Sequence, residues 1–313
     1  TYYLSKMLTI TFLCVYFEVY MNICITGGAG FIGSNSVDFF LKQGHEVTVI
    51  DNLSSGFMYN IEQHIDNKNF NFYEADIRDR KTIETIFKKH AFHTCIHFAA
   101  LISVVESTEN PILTEDINVT GMLNLLECGS ENQIKTFVHA SSAAVYGDSE
   151  ELPKREKMVL HPKSPYAITK LAGEYYNSFF SSINNFRAIN CRFFNVFGVK
   201  QNPDSQYAAA IPIFMKLAMQ NKDITIYGDG EQVRDFIYVE DLVSAIAHLI
   251  DSAQTNENTY NLGYGKYISI NELAKNIITE AKSSSKIKYA PERPGDIKLS
   301  YASIDNLLRT GWK

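Results

Sequence analysis

Clusters of charge of one sign are missing from this chain of 313 residues. The net charge is −6 and no stripe of lysine and arginine occurs, which argues against a surface that follows the phosphates of a nucleic acid. Cysteine is scarce too: the five residues are scattered and odd in number, which favours reduced thiols in the cytoplasm over a disulfide framework. Repeats and low-complexity segments are also absent. The remaining composition, 45% apolar and 20% charged, is that of an ordinary globular chain.

The first twenty residues have no clear place in a fold. The stretch Met7–Tyr20 is apolar but shorter than the ~20 residues that cross a bilayer, and it has no small-residue cleavage site. Met21 directly begins the first predicted strand. We interpret residues 1–20 as a leader or translation artefact outside the fold, with a membrane anchor as the alternative, and expect no membrane partner.

Glycines are concentrated after that first strand. Positions 27, 28, 30 and 33 form a turn between the strand and a helix predicted over residues 31–43. Such a turn lets backbone N–H groups approach a pyrophosphate, and the helix directs its positive end at the phosphates. The next predicted strand, residues 45–51, ends in Asp51, where a carboxylate binds ribose hydroxyls and repels a 2′-phosphate. The pattern predicts a bound dinucleotide, NAD rather than NADP, with a turn residue as the alternative role of Asp51.

Strands and helices alternate along the rest of the chain. Apolar runs at 70–75, 95–100, 137–141 and 188–194 are separated by helical patterns that include 79–90 and 114–129. This alternation predicts an α/β fold, a doubly wound parallel Rossmann sheet. Beyond residue 195 the rhythm loosens, with a loop at 202–205, helices at 208–220 and 241–250, and a strand at 224–227. We therefore predict an NAD-binding domain at 21–194 and a smaller substrate-binding lobe at 195–313.

A phenol and an ammonium lie four residues apart at a predicted helix start. Tyr166 and Lys170 share one helix face, so the ammonium should lower the pKa of the phenol from ~10 toward neutrality, as a general base requires. Ser141 and Ser142 end a strand of the same sheet and could bind a substrate oxygen that faces Tyr166, or could simply close the strand. The spacing alone is weak, because 18 tyrosines make an accidental match expected.

His93, Cys95 and His97 alternate along another predicted strand. A buried strand explains this pattern, and no second pair of ligands matches it, so we expect no metal.

Together these motifs resemble those of the extended short-chain dehydrogenase/reductase family, and within it the NAD-dependent nucleotide-sugar 4-epimerases. The resemblance runs from Met21 to Lys313. It is carried by ordered blocks at 27–33, 51–56, 76–79, 97–100, 141–147, 166 with 170, 192–198 and 228–235.

The resemblance implies an isomerase and a role for each motif. Tyr166 would remove the proton of the sugar 4-hydroxyl, Lys170 would hold the nicotinamide ribose, and Ser142 would hydrogen-bond the same sugar oxygen. NAD would take the C4 hydride and return it to the other face of a 4-keto sugar. The implied cofactor contacts are Gly27, Gly30, Phe31, Ile32, Gly33, Asp51, Asn52, Asp76, Ile77, Phe98, Ala99, Ala100, Tyr166 and Lys170. The implied substrate contacts are Ser142, Tyr166, Asn195, Arg234, Arg293 and Ser300.

Two positions narrow the expected reaction. Ala143 and Ala144 stand where dehydratases of the family carry an Asp-Glu pair and decarboxylases a Glu, so the acid those reactions need is missing. Ser300 stands where a tyrosine gate restricts relatives to plain hexoses, so we expect UDP-N-acetylhexosamines to enter. A UDP-glucuronate epimerase, or another nucleotide-sugar epimerase or reductase, is the alternative.

The resemblance also bears on assembly. Relatives often pair through a four-helix interface, so we expect a homodimer through the helices near 109–129 and 164–182. Relatives also continue beyond Lys313, so we expect a truncated C-terminus. A non-catalytic NAD-binding sensor is a third class, but it should lack part of the Ser/Tyr/Lys set.

Overall fold

The computed structural model describes residues 20–203, 210–252, 257–292 and 298–313. The predicted leader thus lies outside the described residues, apart from Tyr20. The strands are β1 (Asn22–Thr26), β2 (Glu46–Asp51), β3 (Phe70–Glu74), β4 (Thr94–His97), β5 (Thr136–Ser142), β6 (Arg187–Phe193), β7 (Asn195–Phe197), β8 (Ile224–Tyr227), β9 (Val233–Arg234), β10 (Phe236–Tyr238), β11 (Thr259–Leu262), β12 (Ile268–Ser269), β13 (Ile287–Ala290) and β14 (Leu299–Ser300). The helices are α1 (Phe31–Lys42), α2 (Arg80–His90), α3 (Val104–Glu109), α4 (Pro111–Glu115), α5 (Gly121–Glu131), α6 (Pro165–Asn184), α7 (Ala210–Met219), α8 (Val239–Asp251), α9 (Ile270–Glu280) and α10 (Asp305–Arg309).

Seven parallel strands form the main sheet, in the order β11-β6-β5-β4-β1-β2-β3. The predicted doubly wound parallel sheet is confirmed. Its strand order reverses direction at β1, between β4 and β2, which is the place where such sheets leave a crevice for a ligand at the carboxyl ends of the strands.

Alternation along each central strand builds a core on both faces of the sheet. In β1, Ile23 and Ile25 belong to one buried cluster and Cys24 to the other. Helices α1 and α8 cover the first face, and α2 and α5 cover the second. Such two-sided burial is what a parallel sheet requires, and it explains why its strands are nearly continuous apolar runs.

Part of the chain beyond the predicted lobe boundary at residue 195 belongs to the main sheet. Strand β11, which lies inside the range predicted for the second lobe, pairs in parallel with β6, and α8 packs against α1. Helix α8 and strand β11 therefore return to the main sheet. The smaller lobe consists of the β12-β9-β14 sheet and the β13-β8 pair, with a core cluster to which α7 and α9 contribute.

Helix starts follow local capping chemistry. Ser164 precedes Pro165, and its hydroxyl accepts a hydrogen bond from Ala167 N at 3.2 Å, so α6 begins where a capping serine and a first-turn proline predict. The predicted helix over 114–129 is longer in the structure, because α4 continues through a π-helical segment, Asp116–Thr120, into α5. That irregular turn has no signal in the apolar spacing.

Candidate active site

The glycine turn between β1 and α1 forms a tight backbone surface beside β4. Gly27 has φ +71, and a Cβ there would lie 2.7 Å from Ala99 N. A Cβ on Gly33 would lie 2.1 Å from Gly27 O. No side chain caps α1 at Gly30, so the helix start keeps its N–H groups for another acceptor. The turn therefore fits a pyrophosphate, and Phe31 and Ile32 lie half-buried at the helix start.

Asp51 lies beside this turn at the end of β2. Its Oδ2 accepts a hydrogen bond from Ala29 N at 2.9 Å and its Oδ1 accepts one from Leu53 N at 2.8 Å. Burial raises the pKa of the carboxyl, while the two N–H donors act to lower it. Each carboxylate oxygen can accept a further bond, so ribose hydroxyls fit here as predicted.

A second carboxylate follows β3. Asp76 accepts a hydrogen bond from Asn52 Nδ2 at 2.9 Å and a two-pronged contact from Arg78, with Nε at 2.9 Å and Nη2 at 2.8 Å. The Arg78 guanidinium holds the pKa of Asp76 far below its ordinary value. Ile77 is 5% exposed and packs closely against Gly121: a Cβ on Gly121 would lie only 2.6 Å from the Ile77 side chain. Sequence reasoning missed Arg78 as a partner of Asp76, although Arg78 lies only two residues after it.

The segment after β4 completes this side of the crevice. Strand β4 ends at His97, earlier than the predicted residue 100. Beyond it, Phe98 N donates a hydrogen bond to Thr26 O at 3.1 Å and Ala99 N donates one to Thr26 Oγ1 at 3.3 Å. Phe98, Ala99 and Ala100 are half-buried. They lie next to the glycine turn, as the predicted cofactor contacts require.

Ser142, Tyr166 and Lys170 meet at the ends of β5 and α6. Ser142 Oγ accepts a hydrogen bond from Ala144 N at 3.1 Å, which leaves its one proton available to another acceptor. Interaction of this hydroxyl with Tyr166 acts to lower the pKa of the phenol. Lys170 Nζ lies 5.8 Å from the centroid of the Tyr166 ring. The side chain of Lys170 is only 4% exposed.

The expected fall in the pKa of Tyr166 is not found in the protein alone. Burial raises the pKa of this phenol, and the hydrogen bond with Ser142 offsets only part of the rise. Burial also lowers the pKa of Lys170, to about 8. The sequence showed that the two groups share a helix face, but not that both are withdrawn from water, and here desolvation is the largest influence on both pKa values.

The predicted substrate contacts lie at the entrance of the smaller lobe. Asn195 comes two residues after Phe193, the register partner of Ser142, and its Nδ2 donates to Asp235 O at 2.8 Å. Arg234 and Ser300 are direct neighbours in the β9·β14 register. The structure therefore brings these two together, while Arg293 lies outside the described residues.

Sequence reasoning missed a buried polar row on α6. Glu174 and Asn177 continue the face of Tyr166 and Lys170 and are 5% and 0% exposed. Glu174 receives two hydrogen bonds from Arg192, at 2.9 and 2.7 Å, and one from Ser141. Glu174 lies four residues after Lys170 and Asn177 lies three residues after Glu174, and this spacing was the available signal.

The three residues considered as metal ligands serve other purposes. His93 lies before β4 begins, Cys95 is buried, and His97 shares a hydrogen bond of 2.8 Å between its Nδ1 and Thr26 Oγ1. Burial lowers the pKa of His97. Within the described ranges no group of three potential metal ligands occurs, and no helix there has the length and apolar character to cross a membrane. The cysteines of the same ranges, at 24, 95, 128 and 191, are buried and free.

Comparisons with known proteins agree on one group. The model of the NAD dependent epimerase/dehydratase family matches residues 23–263. UDP-glucose 4-epimerase of Halalkalibacterium halodurans is 35% identical over 310 residues, which cover 94% of this chain and 90% of that protein. The structure of UDP-N-acetylglucosamine 4-epimerase from Methanobrevibacter ruminantium, in complex with UDP-N-acetylmuramic acid, is similar with a TM-score of 0.88 and 38% identity, over 94% of this chain and 93% of its own. Thermus thermophilus UDP-glucose 4-epimerase, in complex with NAD, has a TM-score of 0.85 and 34% identity, over 94% of each chain.

Proposed function

The chain belongs to the NAD dependent epimerase/dehydratase family, and from this premise we propose that it is an isomerase that interconverts the C4 epimers of a UDP-sugar with NAD as its cofactor. We propose further that UDP-N-acetylhexosamines are among its substrates. The observation that carries the proposal is the meeting of Ser142, Tyr166 and Lys170 at the strand ends, next to a turn that fits a pyrophosphate.

In this proposal the glycine turn and Asp51 hold NAD. The N–H groups at the start of α1 receive the pyrophosphate, Asp51 receives the adenosine ribose, and Asn52, Asp76 and the segment 98–100 line the remaining surface. When bound, NAD accepts a hydride from a sugar carbon and can return it, which makes the reaction reversible with no net redox change.

Tyr166 is the proposed general base for the 4-hydroxyl of the sugar. A hydrogen bond from Ser142 would favour its phenolate form, in line with the lowering effect of Ser142 on the pKa of Tyr166. Lys170 keeps an ammonium at the same helix face, where its charge also favours the phenolate and binds ribose hydroxyls. Inversion at C4 then requires the 4-keto sugar to present its other face, while Arg234 and Asn195 hold the diphosphate. An arginine suits that role because its fork meets phosphate oxygens at two points.

The residues after Ser142 favour epimerisation over elimination. Ala143 and Ala144 form the turn that follows β5, so no acid is available there to protonate a leaving group. A reductase would instead change the net amount of NADH. Incubation with UDP-glucose and with UDP-N-acetylglucosamine, followed by separation of the C4 epimers, tests the activity, and Tyr166→Phe is the inactive control. Loss of water, or net NADH turnover, would indicate the alternative reactions.

Ser300 supports the acceptance of N-acetyl sugars. The residue is small, half-buried and adjacent to Arg234 in the β-register, so it leaves room near the proposed diphosphate contact. A similar structure that carries the name UDP-N-acetylglucosamine 4-epimerase adds support. A UDP-glucuronate epimerase remains the alternative, because it too needs a small residue there.

The change Ser300→Tyr tests this assignment. The larger ring should fill the space beside the sugar 2-position, so turnover of UDP-N-acetylglucosamine should fall by about 100-fold. Turnover of UDP-glucose should change little, and the ratio of the two kcat/KM values is the measurement. An unchanged ratio would contradict the role of Ser300 without touching the epimerase proposal.

We also propose a homodimer, formed by the apolar face of α3, α4 and α6. These helices contact one another and expose large apolar side chains. The buried free thiols support a reducing compartment, and we propose the cytoplasm.

A further inference from the structure

Asp235 has a carboxylate at the junction of three chain segments. The residue is 0% exposed. Its carboxylate accepts hydrogen bonds from three backbone donors: Tyr264 N at 2.7 Å, Gly265 N at 3.0 Å and Ala302 N at 3.1 Å. Three backbone donors on one buried carboxylate fix its orientation, since each would lose a charge-assisted bond if it turned.

The backbone of Asp235 contacts the proposed substrate residues. Its N–H donates to Ser300 O at 3.1 Å, and its carbonyl accepts from Asn195 N at 3.1 Å and from Asn195 Nδ2 at 2.8 Å. Arg234 is its covalent neighbour. Asp235 is therefore linked to Asn195, Arg234 and Ser300. These three are the proposed diphosphate and sugar-gate contacts in this region of the described ranges.

Gly263 completes the enclosure of this carboxylate. A Cβ at that position would lie 2.8 Å from Asp235 Oδ2 and 3.1 Å from the Cβ of Ala302. The space beside the carboxylate is thus too small for any side chain. The close approach of Gly263 prevents the carboxylate from moving toward the 263–265 segment. Because the carboxylate also bonds to both segments, it holds segments 263–265 and 300–302 at a fixed separation.

We propose that Asp235 is the positioning residue of the substrate site: its carboxylate ties segments 263–265 and 300–302 together and so fixes Arg234, Asn195 and Ser300 relative to the bound UDP-sugar. Asp235 does not itself contact the substrate. The inference rests on the proposed function, because the three residues it positions are the proposed substrate contacts.

Asp235→Asn tests the role with a side chain of the same shape. An amide nitrogen cannot accept a hydrogen bond, so at least one of the three backbone donors loses its acceptor. We expect KM for the UDP-sugar to rise by about tenfold or more and the affinity for UDP, measured by calorimetry, to fall similarly. We expect kcat to change by less than about threefold and NAD affinity to be unchanged, because Ser142, Tyr166, Lys170 and the glycine turn lie on other elements.

Two further variants separate positioning from folding. Gly263→Ala keeps the charge but displaces the carboxylate, so it should raise KM in the same way, and it decides the question if Asp235→Asn does not fold. Asp223→Asn is the matched control: Asp223 accepts a backbone hydrogen bond from Lys286 N at 3.1 Å in the same lobe, away from the proposed contacts, and KM should not change.

The outcomes distinguish the two proposals. A folded Asp235→Asn protein with the KM and UDP affinity of the unaltered protein would overturn the positioning role, and so would a loss of kcat or NAD affinity with KM unchanged. If the unaltered protein binds UDP but epimerises no UDP-sugar, the proposed function fails while UDP affinity still tests Asp235. If the unaltered protein does not bind UDP, both proposals fail.

Discussion

Lys170, a residue of the proposed catalytic set, carries a cost in stability because it is buried. It is 4% exposed, and burial lowers its pKa to about 8 from an ordinary 10.5. Below about pH 8 the ammonium is charged in both the folded and the unfolded chain, so the full cost of burying it is present. As the pH rises from about 8 toward 10.5 the folded chain loses its proton first, and the cost disappears.

Lys170→Met should therefore stabilise the cofactor-free protein while it removes activity. We expect the free energy of unfolding at pH 7 to rise by about 1–3 kcal/mol, because the charge is gone and the apolar stem remains. The gain should shrink between pH 8 and pH 10. Urea denaturation at pH 7 and pH 10 measures both values, with Lys42→Met, on the exposed end of α1, as a control that changes neither. A gain that is equal at the two pH values would show that packing, not charge burial, is responsible.

Single-residue roles were predictable only where they follow from local spacing. Tyr166 and Lys170 share a helix face by virtue of a four-residue offset, and Gly27 and Gly33 follow from the geometry of a tight turn. The pKa of Tyr166 depends on how much water reaches it, which is set by segments far away in the chain. No spacing encodes that quantity.

At the scale of elements, α6 places a row of polar residues against the sheet. A crossover helix normally places apolar residues against the strands, but α6 places Tyr166, Lys170, Glu174 and Asn177 there, all along one face. Glu174 is held by Arg192 of β6 and by Ser141 of β5. These contacts fix the rotation of α6 relative to Ser142, the next residue of β5. The face of α6 that carries the proposed catalytic residues is therefore the one that anchors the helix.

Glu174→Gln should destabilise the protein strongly. Arg192, which is 3% exposed, would keep its buried positive charge without the carboxylate that pairs with it. Such an unpaired buried charge costs about 3 kcal/mol or more in stability. The midpoint of urea denaturation should fall accordingly. Glu84→Gln removes an ion pair with Lys88 on the surface of α2 and should leave the midpoint unchanged.

A double variant gives the complementary result. Glu174→Met combined with Arg192→Met removes both charges, and its stability should recover much of the loss. Failure to recover would mean that the hydrogen bonds of the pair, rather than the unpaired charge, account for the effect.

The elements themselves were largely predictable, and their partners were not. The apolar run before the glycine turn places the first strand correctly, and the segment around Tyr166 and Lys170 was correctly predicted as a helix start. The pairing of Glu174 with Arg192 joins residues on different elements, and a single sequence does not show which buried carboxylate meets which cation. The π-helical segment 116–120 was missed for a related reason: it depends on packing against α6, not on local propensity.

At the scale of the molecule, the parallel sheet brings distant motifs to one edge. The carboxyl ends of β1, β2, β4 and β5 carry the glycine turn, Asp51, the 98–100 segment and Ser142. This convergence was predictable because all carboxyl ends of a parallel sheet lie on one side. The return of α8 and β11 to the sheet was not, since β11 is only four residues long and its sequence, Thr-Tyr-Asn-Leu, has no clear apolar pattern.

The exposed face of α3, α4 and α6 leads to a prediction about assembly. Ile112 is 85% exposed, Tyr175 68%, Phe179 57% and Ile183 60%, and the last three follow one another at four-residue spacing on α6. Large exposed apolar faces often mark a protein–protein interface. In a two-fold dimer this face would pack against the same face of a second copy of the chain. We therefore expect the unaltered protein to sediment as a dimer at micromolar concentration.

Charges placed on this face should separate the subunits. Each substitution occurs twice in a two-fold interface, so Ile112→Glu with Phe179→Glu would bury four like charges and should give a monomer in sedimentation velocity. Val159→Glu is the matched control, because Val159 is 73% exposed but lies outside these helices. Ile112 and Phe179 are not among the proposed site residues, so a folded monomer should retain turnover. A dimer that persists in the double variant, or an unaltered protein that is already monomeric, would show that another partner or none covers the face.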